Sequence, residues 1–222
     1  MNPDLPAQAG LHDRELELSP GCRVRCTIAL PPGVPRTAPL VLCLHYGGEP
    51  HGYYGRPLLE HLLLPAWRAL AAVMVAPVSV GGDWTMPANA HNAFEVARIV
   101  EQAYACAPTR RVVTGYSLGA IGTWHLLSQA PGHFAAAVPL AGPPPLAAPG
   151  STPVRALNST ADRLFPSAAT AAALERLRER GVDAACDLIE GVDHHDFGGF
   201  SAPLASLLPW LRERLGLPAV PP

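Results

Sequence analysis

The feature that most constrains this chain is a set of short, wholly apolar runs spaced by longer amphipathic stretches. Leu40-Val41-Leu42-Cys43-Leu44 is uninterrupted, residues 73–76 and 135–140 come close to it, and a more polar strand is read at 154–158. A strand reads this way when both faces of its sheet are covered, whereas a strand with one wet face alternates. Between the runs lie segments of helical length at 58–72 (interrupted by Pro65), 88–105, 118–128, 168–180 and 203–215. Such alternation specifies a parallel sheet with helices on both sides. Residues 14–18 and 22–30 instead alternate charged and apolar side chains, which predicts two antiparallel strands. With runs at 111–114 and 184–189, the reading is a mostly parallel α/β sheet of about eight strands. Residues 1–13 are expected to be loose, 14–216 to form one domain and 217–222 a flexible tail.

Composition removes several kinds of chemistry. All sixteen basic side chains are arginine and none is lysine. A phosphate-binding loop ending in Gly-Lys-Ser/Thr is therefore excluded, as are Schiff-base catalysis and a lysine base. Eighteen acids give a net charge of −2, which leaves no electrostatic footprint for nucleic acid or anionic lipid. Met1-Asn2-Pro3-Asp4 lacks the basic start and apolar run of a secretory leader. No apolar stretch reaches the ~18 residues of a membrane span.

The five cysteines show no metal-ligand spacing. Cys22 and Cys26 fall on one strand face roughly 13 Å apart, too far to be bonded to each other. Cys43 and Cys186 sit in apolar runs and read as small core residues. Reduced thiols in a cytoplasmic protein are expected, with an exported mature form as the alternative.

The stretch with the most chemistry is Arg111-Val112-Val113-Thr114-Gly115-Tyr116-Ser117-Leu118-Gly119. It is Gly-x-Ser-x-Gly between an apolar strand and an apolar helix, the context this motif requires. A serine on that sharp turn has its Oγ lifted above the sheet, and the flanking glycines leave room for the neighbouring strand and helix. The same glycines, Gly115, Gly119 and Gly122, also approach the pattern of short-chain dehydrogenases. Those enzymes place it after the first strand and need a lysine beside the catalytic tyrosine. Here it follows about the fifth strand, and there is no lysine.

These residues resemble the α/β-hydrolase superfamily from about Leu16 to Leu215. The run from Gly115 to Trp124, continuing from Phe134 to Gly142, is similar to single-domain esterases of the polyhydroxyalkanoate-depolymerase, feruloyl-esterase and phospholipase/carboxylesterase groups. The resemblance implies an α/β-hydrolase fold and a serine hydrolase whose acid and base follow the serine at the ends of the last strands. Asp162 is the first acid after the strand at 154–158, with Asp183 and Asp187 poorer candidates. Glu190-Gly191-Val192-Asp193-His194-His195-Asp196 offers two histidines. His194, three residues after Gly191 as is usual in this fold, is assigned the base, and His195 is the alternative. A metal site on His194, His195 and Asp196 lacks further ligands at a recognisable spacing, so neither metal nor cofactor is expected.

The first oxyanion donor is expected to be the amide of Leu118. The second is expected from Leu44-His45-Tyr46-Gly47-Gly48, which resembles the His-Gly-Gly-Gly loop of esterases with tyrosine in place of the first glycine. Tyr46 acts there through its amide, or through its hydroxyl as in prolyl-oligopeptidase-like enzymes. Tyr53, Tyr54, Trp84, Met86 and Tyr116 are candidate pocket residues. Only about a dozen residues separate the strand at 135–140 from the next, too few for a lid domain. The expected substrates are small esters or ester groups on a larger molecule, cleaved through an acyl-enzyme on Ser117. A thioesterase or small-peptide hydrolase would use the same residues, and a non-catalytic binding protein on this scaffold is the reading from another class. The oligomeric state is not legible.

Overall fold

The computed structural model describes residues 5–144 and 150–219. Residues 1–4, 145–149 and 220–222 lie outside the described chain, including the start of the expected loose segment and the end of the expected tail. Eight strands form one sheet in the order β1-β2-β4-β3-β5-β6-β7-β8. They are β1 (Gly10–Ser19), β2 (Cys22–Leu30), β3 (Leu40–Leu44), β4 (Val73–Pro77), β5 (Arg111–Tyr116), β6 (Ala136–Leu140), β7 (Val154–Ser159) and β8 (Ala184–Ile189). β1 and β2 are antiparallel to their neighbours, and β3 to β8 are parallel.

Strand periodicity divides the core. Leu40, Leu42 and Leu44 join one apolar cluster, and Val41 and Cys43 join the other, because successive strand residues point to opposite faces. Helices α3 (Pro87–Tyr104), α4 (Leu118–Gln129) and α5 (Ser167–Glu179) supply the first cluster. The second is closed by α1 (Arg56–Leu58), α2 (Leu64–Trp67), α6 (Ser201–Ser206) and α7 (Leu208–Arg214). Residues 141–153 join β6 to β7, and no lid domain is inserted there among the described residues.

Proline decides where two expected helices change character. The segment predicted over 58–72 runs from α1 through a π turn at Leu59–Leu63 into α2, then ends in a 3₁₀ turn at Arg68–Leu70. Pro65 has no N–H for the His61 carbonyl, and its ring crowds that carbonyl. The buried residues Leu58-Leu59, Leu62-Leu63, Ala66-Trp67 and Leu70 recur every four positions. An α-helix would turn such a stripe by about 40° per repeat; the wider π turn keeps it on the core. Pro209 likewise cannot donate to Ala205, and the helix predicted over 203–215 is split into α6 and α7.

Two boundaries and one burial differ from expectation. Residues 10–13, expected in the loose segment, pair with β2 from Gly10↔Leu30 to Asp13↔Thr27. Asp13 fixes this end by accepting from Thr27 Oγ1 at 2.7 Å and from Arg56 Nη1 at 3.0 Å. At the other terminus Leu217 packs on the core and its N–H donates to Arg212 O, so residue 217 belongs to the packed domain. Cys186 is only half-buried, because β8 is an edge strand, whereas Cys26, Cys43 and Cys106 are buried. All five cysteines are unpaired.

Candidate active site

Ser117 sits between β5 and α4 with φ 58° and ψ −117°, a backbone conformation that costs a non-glycine residue about 1–3 kcal/mol. The flanking glycines allow it. A Cβ on Gly115 would lie 2.3 Å from Gly119 O, and one on Gly119 would lie 2.0 Å from Leu44 O and 2.7 Å from His45 O. The turn is thus pressed between its own first helical turn and the end of β3. Ser117 Oγ stands 2.9 Å from His194 Nε2, and His194 Nδ1 stands 2.7 Å from Asp162 Oδ2.

The loop after β7 prepares the carboxylate. Asp162 Oδ1 accepts from the amides of Leu164 at 2.9 Å and Phe165 at 2.8 Å, and the side chain is fully buried. These bonds satisfy a buried charge that would otherwise be expensive. A carboxylate only accepts, so His194 carries its proton on Nδ1 and presents the lone pair of Nε2 to the serine hydroxyl. Geometry of this kind makes an alcohol oxygen nucleophilic by removing its proton as it attacks.

The structure therefore brings Ser117, His194 and Asp162 together and leaves His195 outside. The His195 ring is exposed and lies edge-on to His194 at 5.3 Å between centroids. The Ser117 hydroxyl is bonded to His194 instead. The His195 backbone N–H donates to Asp193 Oδ1 at 2.9 Å, and the residue lines the cavity.

The loop after β3 is fixed from beneath. Ser79 N donates to His45 Nε2 at 3.1 Å, so the proton of His45 is on Nδ1, which donates to Tyr46 O at 2.7 Å. Burial lowers the pKa of His45 to about 4, with the bond to the Tyr46 carbonyl opposing, and the ring is neutral. Trp84 Nε1 donates to His45 O at 2.9 Å. In a planar trans peptide the N–H points opposite to the carbonyl, so this bond turns the Tyr46 N–H away from Trp84. That N–H makes no backbone hydrogen bond among the described residues. Leu118 N, at the first position of α4, likewise has no intrahelical acceptor.

A cavity of about 650 Å³ opens over the serine, walled by Tyr46, Tyr116, Phe165 and Phe197 among others. Among the described residues no carboxylate or guanidinium lines it. Of the five expected pocket residues only Tyr116 is in this wall, and its hydroxyl is occupied by His194 O at 2.6 Å. Trp84 is 1% exposed beneath the loop after β3. Tyr54 braces the same loop, donating to Gly47 O at 3.2 Å and packing on Tyr46. Tyr53 accepts the Arg56 amide on its carbonyl at the entry to α1. Met86 caps α3 at the surface. Pro57, His61, Leu164, Phe165 and Phe197 take the wall positions instead. Leu164 and Phe165 follow Asp162 in sequence and were open to inference. Pro57 reaches the site on α1, and His61 on the π turn that follows, for which the sequence carries only the hint of Pro65. No group of three potential metal ligands is placed together among the described residues, nor is any helix long and apolar enough to cross a membrane.

The strand order, with Ser117 on its turn and Asp162 and His194 on the loops after β7 and β8, is that of an α/β-hydrolase fold. Solved structures of that fold lie close to it. A thermostable esterase superposes with a TM-score of 0.75 at 21% identity over 91% of this chain. A puromycin-hydrolyzing peptidase of Mycobacterium tuberculosis does so at 0.73 and 16% over 93%. The chain spans 62% of the length of the first and 40% of the second. Thermogutta terrifontis esterase 2, solved with propionate bound, gives 0.74 at 14% identity, with 98% of each chain covered. No protein-family model and no curated protein sequence matches this chain.

Proposed function

We propose that this chain is a serine hydrolase of uncharged carboxylic esters, acting through an acyl-enzyme on Ser117. The observation that carries the reading is the continuous bonding from Ser117 Oγ through His194 to Asp162. Ser117 attacks the ester carbonyl while His194 Nε2 takes its proton. The amides of Leu118 and Tyr46 stabilise the tetrahedral oxyanion. His194 then protonates the departing alkoxide, and water, deprotonated by the same nitrogen, releases the acid. Asp162 holds the ring in the tautomer each step needs.

The cavity favours esters over the peptidase reading. A substrate with a free ammonium group calls for a carboxylate in the wall, and no described wall residue supplies one. Its aromatic lining suits an apolar acyl or alcohol group, and its volume falls within the ~300–1,000 Å³ of small-molecule sites. A thioester fits the same chemistry. The five unpaired cysteines support a cytoplasmic, reduced protein. The test is hydrolysis of p-nitrophenyl acetate and butyrate by wild type and Ser117→Ala, with paraoxon as a covalent probe. The expected result is that only wild type turns over ester and is phosphorylated. Equal hydrolysis by the alanine variant would overturn the reading. His194→Ala and His195→Ala separate the base from its neighbour: the first is expected to abolish turnover and the second to retain it.

A further inference from the structure

We propose that Tyr116 is a positioning residue whose hydroxyl fixes the main chain of His194 and so sets the imidazole on Ser117. The proposal rests on the hydrolase reading above. Tyr116 is the residue before the nucleophile, at the last position of β5, and is 4% exposed. Its phenol donates to His194 O at 2.6 Å across the gap between the strand and the loop after β8. Burial, with Asp162, Asp196 and Asp193 nearby, raises its pKa, so the donor stays protonated. The ring is wedged against Phe197 at 5.0 Å and Phe200 at 5.2 Å, which leaves the hydroxyl little freedom to turn elsewhere.

His194 is consequently held at two points. Asp162 holds the ring by Nδ1, and Tyr116 holds the backbone from which the ring swings. The second hold comes from the chain segment that carries the nucleophile. Base and nucleophile therefore share one rigid reference, and their 2.9 Å separation does not depend on the largely exposed stretch from Gly191 to Asp193. A misplacement of about 1 Å in such a pair is worth on the order of 10²-fold in rate.

A matched control exists on the same strand. Thr114 Oγ1 donates to Val138 O at 2.6 Å, is fully buried and touches neither the base loop nor the cavity. Tyr116→Phe and Thr114→Val each delete one buried hydroxyl from β5 with little change of shape. Both are compared with wild type for p-nitrophenyl butyrate hydrolysis, with active sites titrated by paraoxon so that kcat counts only folded, competent protein. The expected result is a kcat at least fivefold lower for Tyr116→Phe than for Thr114→Val, with KM within threefold and similar losses of Tm. A smaller difference in kcat, or a loss carried by KM, overturns the positioning role. If turnover does not depend on Ser117 in the parallel Ser117→Ala measurement, the hydrolase reading falls as well. If it does, a failure here belongs to Tyr116 alone.

Discussion

Trp84→Phe separates the two ways Tyr46 can serve as an oxyanion donor. The indole N–H lies 2.9 Å from His45 O, and the side chain is 1% exposed. Phenylalanine fills most of the same space without a donor, so a buried carbonyl loses its partner at about 1–3 kcal/mol. The peptide recovers that loss only by rotating its carbonyl toward another donor. Because the unit is planar, the Tyr46 N–H rotates with it. Complete loss of one oxyanion donor is worth about 2.7–4 kcal/mol, roughly 10²–10³ in kcat, which sets the ceiling. Partial misalignment sets the floor at about tenfold, or 1.4 kcal/mol. In steady-state hydrolysis of p-nitrophenyl butyrate, Trp84→Phe is therefore expected to lower kcat between those limits with KM within about threefold. Tyr46→Phe, which keeps the amide, is expected to hold kcat within threefold. The reasoning is refuted if Trp84→Phe retains wild-type kcat while Tyr46→Phe loses a hundredfold, since the hydroxyl would then be the donor.

Two further outcomes follow from the same loop and turn. Gly119→Ala places a Cβ 2.0 Å from Leu44 O, a clash with main chain that no side-chain rotation relieves, and it is expected to lower stability by about 3 kcal/mol or more in urea denaturation. A loss below 1 kcal/mol would show that the turn relaxes freely. His45 remains neutral in the fold until about pH 4, while its unfolded ring takes a proton below its ordinary 6.5. Its contribution is thus full above 6.5, falls as the pH drops and is lost below about 4, amounting to roughly 3 kcal/mol at about 1.4 kcal/mol per pH unit. Urea unfolding from pH 7.5 to 4 is expected to cost wild type more stability than His45→Asn, and parallel pH slopes would exclude this source.

The parts of the fold legible in the sequence are those governed by periodicity and by short-range chemistry. The apolar runs become β3, β4 and β6, because a strand covered on both faces has little room for a polar residue, whereas β7, next to the edge strand, carries Arg155 and Asn158. Gly115 and Gly119 mark the serine turn because no other residue fits so near the main chain. Asp162 and His194 are legible as candidates because each lies within a few residues of a strand end. What escapes is set by contacts between distant segments. The start of β1 depends on Asp13 meeting Thr27 and Arg56. Register through the π turn depends on a buried stripe whose facing core the sequence does not display. Leu58 and Leu62 fit a helix period well enough to conceal it, and His61 arrives at the cavity only because of it.

Trp84 and Tyr54, expected in the cavity wall and found beneath the loop after β3, point to a common physical cause. Tryptophan and tyrosine pair an apolar body with a donor at the tip, so near the carboxyl ends of parallel strands they suit two opposite tasks. One is to line a cavity with the ring; the other is to sit beneath a loop and hold one of its carbonyls. From the sequence the two look alike. In this fold Trp84 holds His45 O, Tyr54 holds Gly47 O, Tyr116 holds His194 O and Trp124 holds Gly142 O. The loops after β3, β6 and β8 are each held this way, and the loop after β7 is braced by Asp162 itself. Loop carbonyls at this edge lack strand partners and would need water if left alone, yet water would also compete for the oxyanion site. A buried aromatic donor satisfies the carbonyl while keeping its surroundings dry, which strengthens every electrostatic contact nearby. Residues that the sequence offers as substrate contacts thus supply the rigidity that the proposed action of a few amides and one imidazole requires.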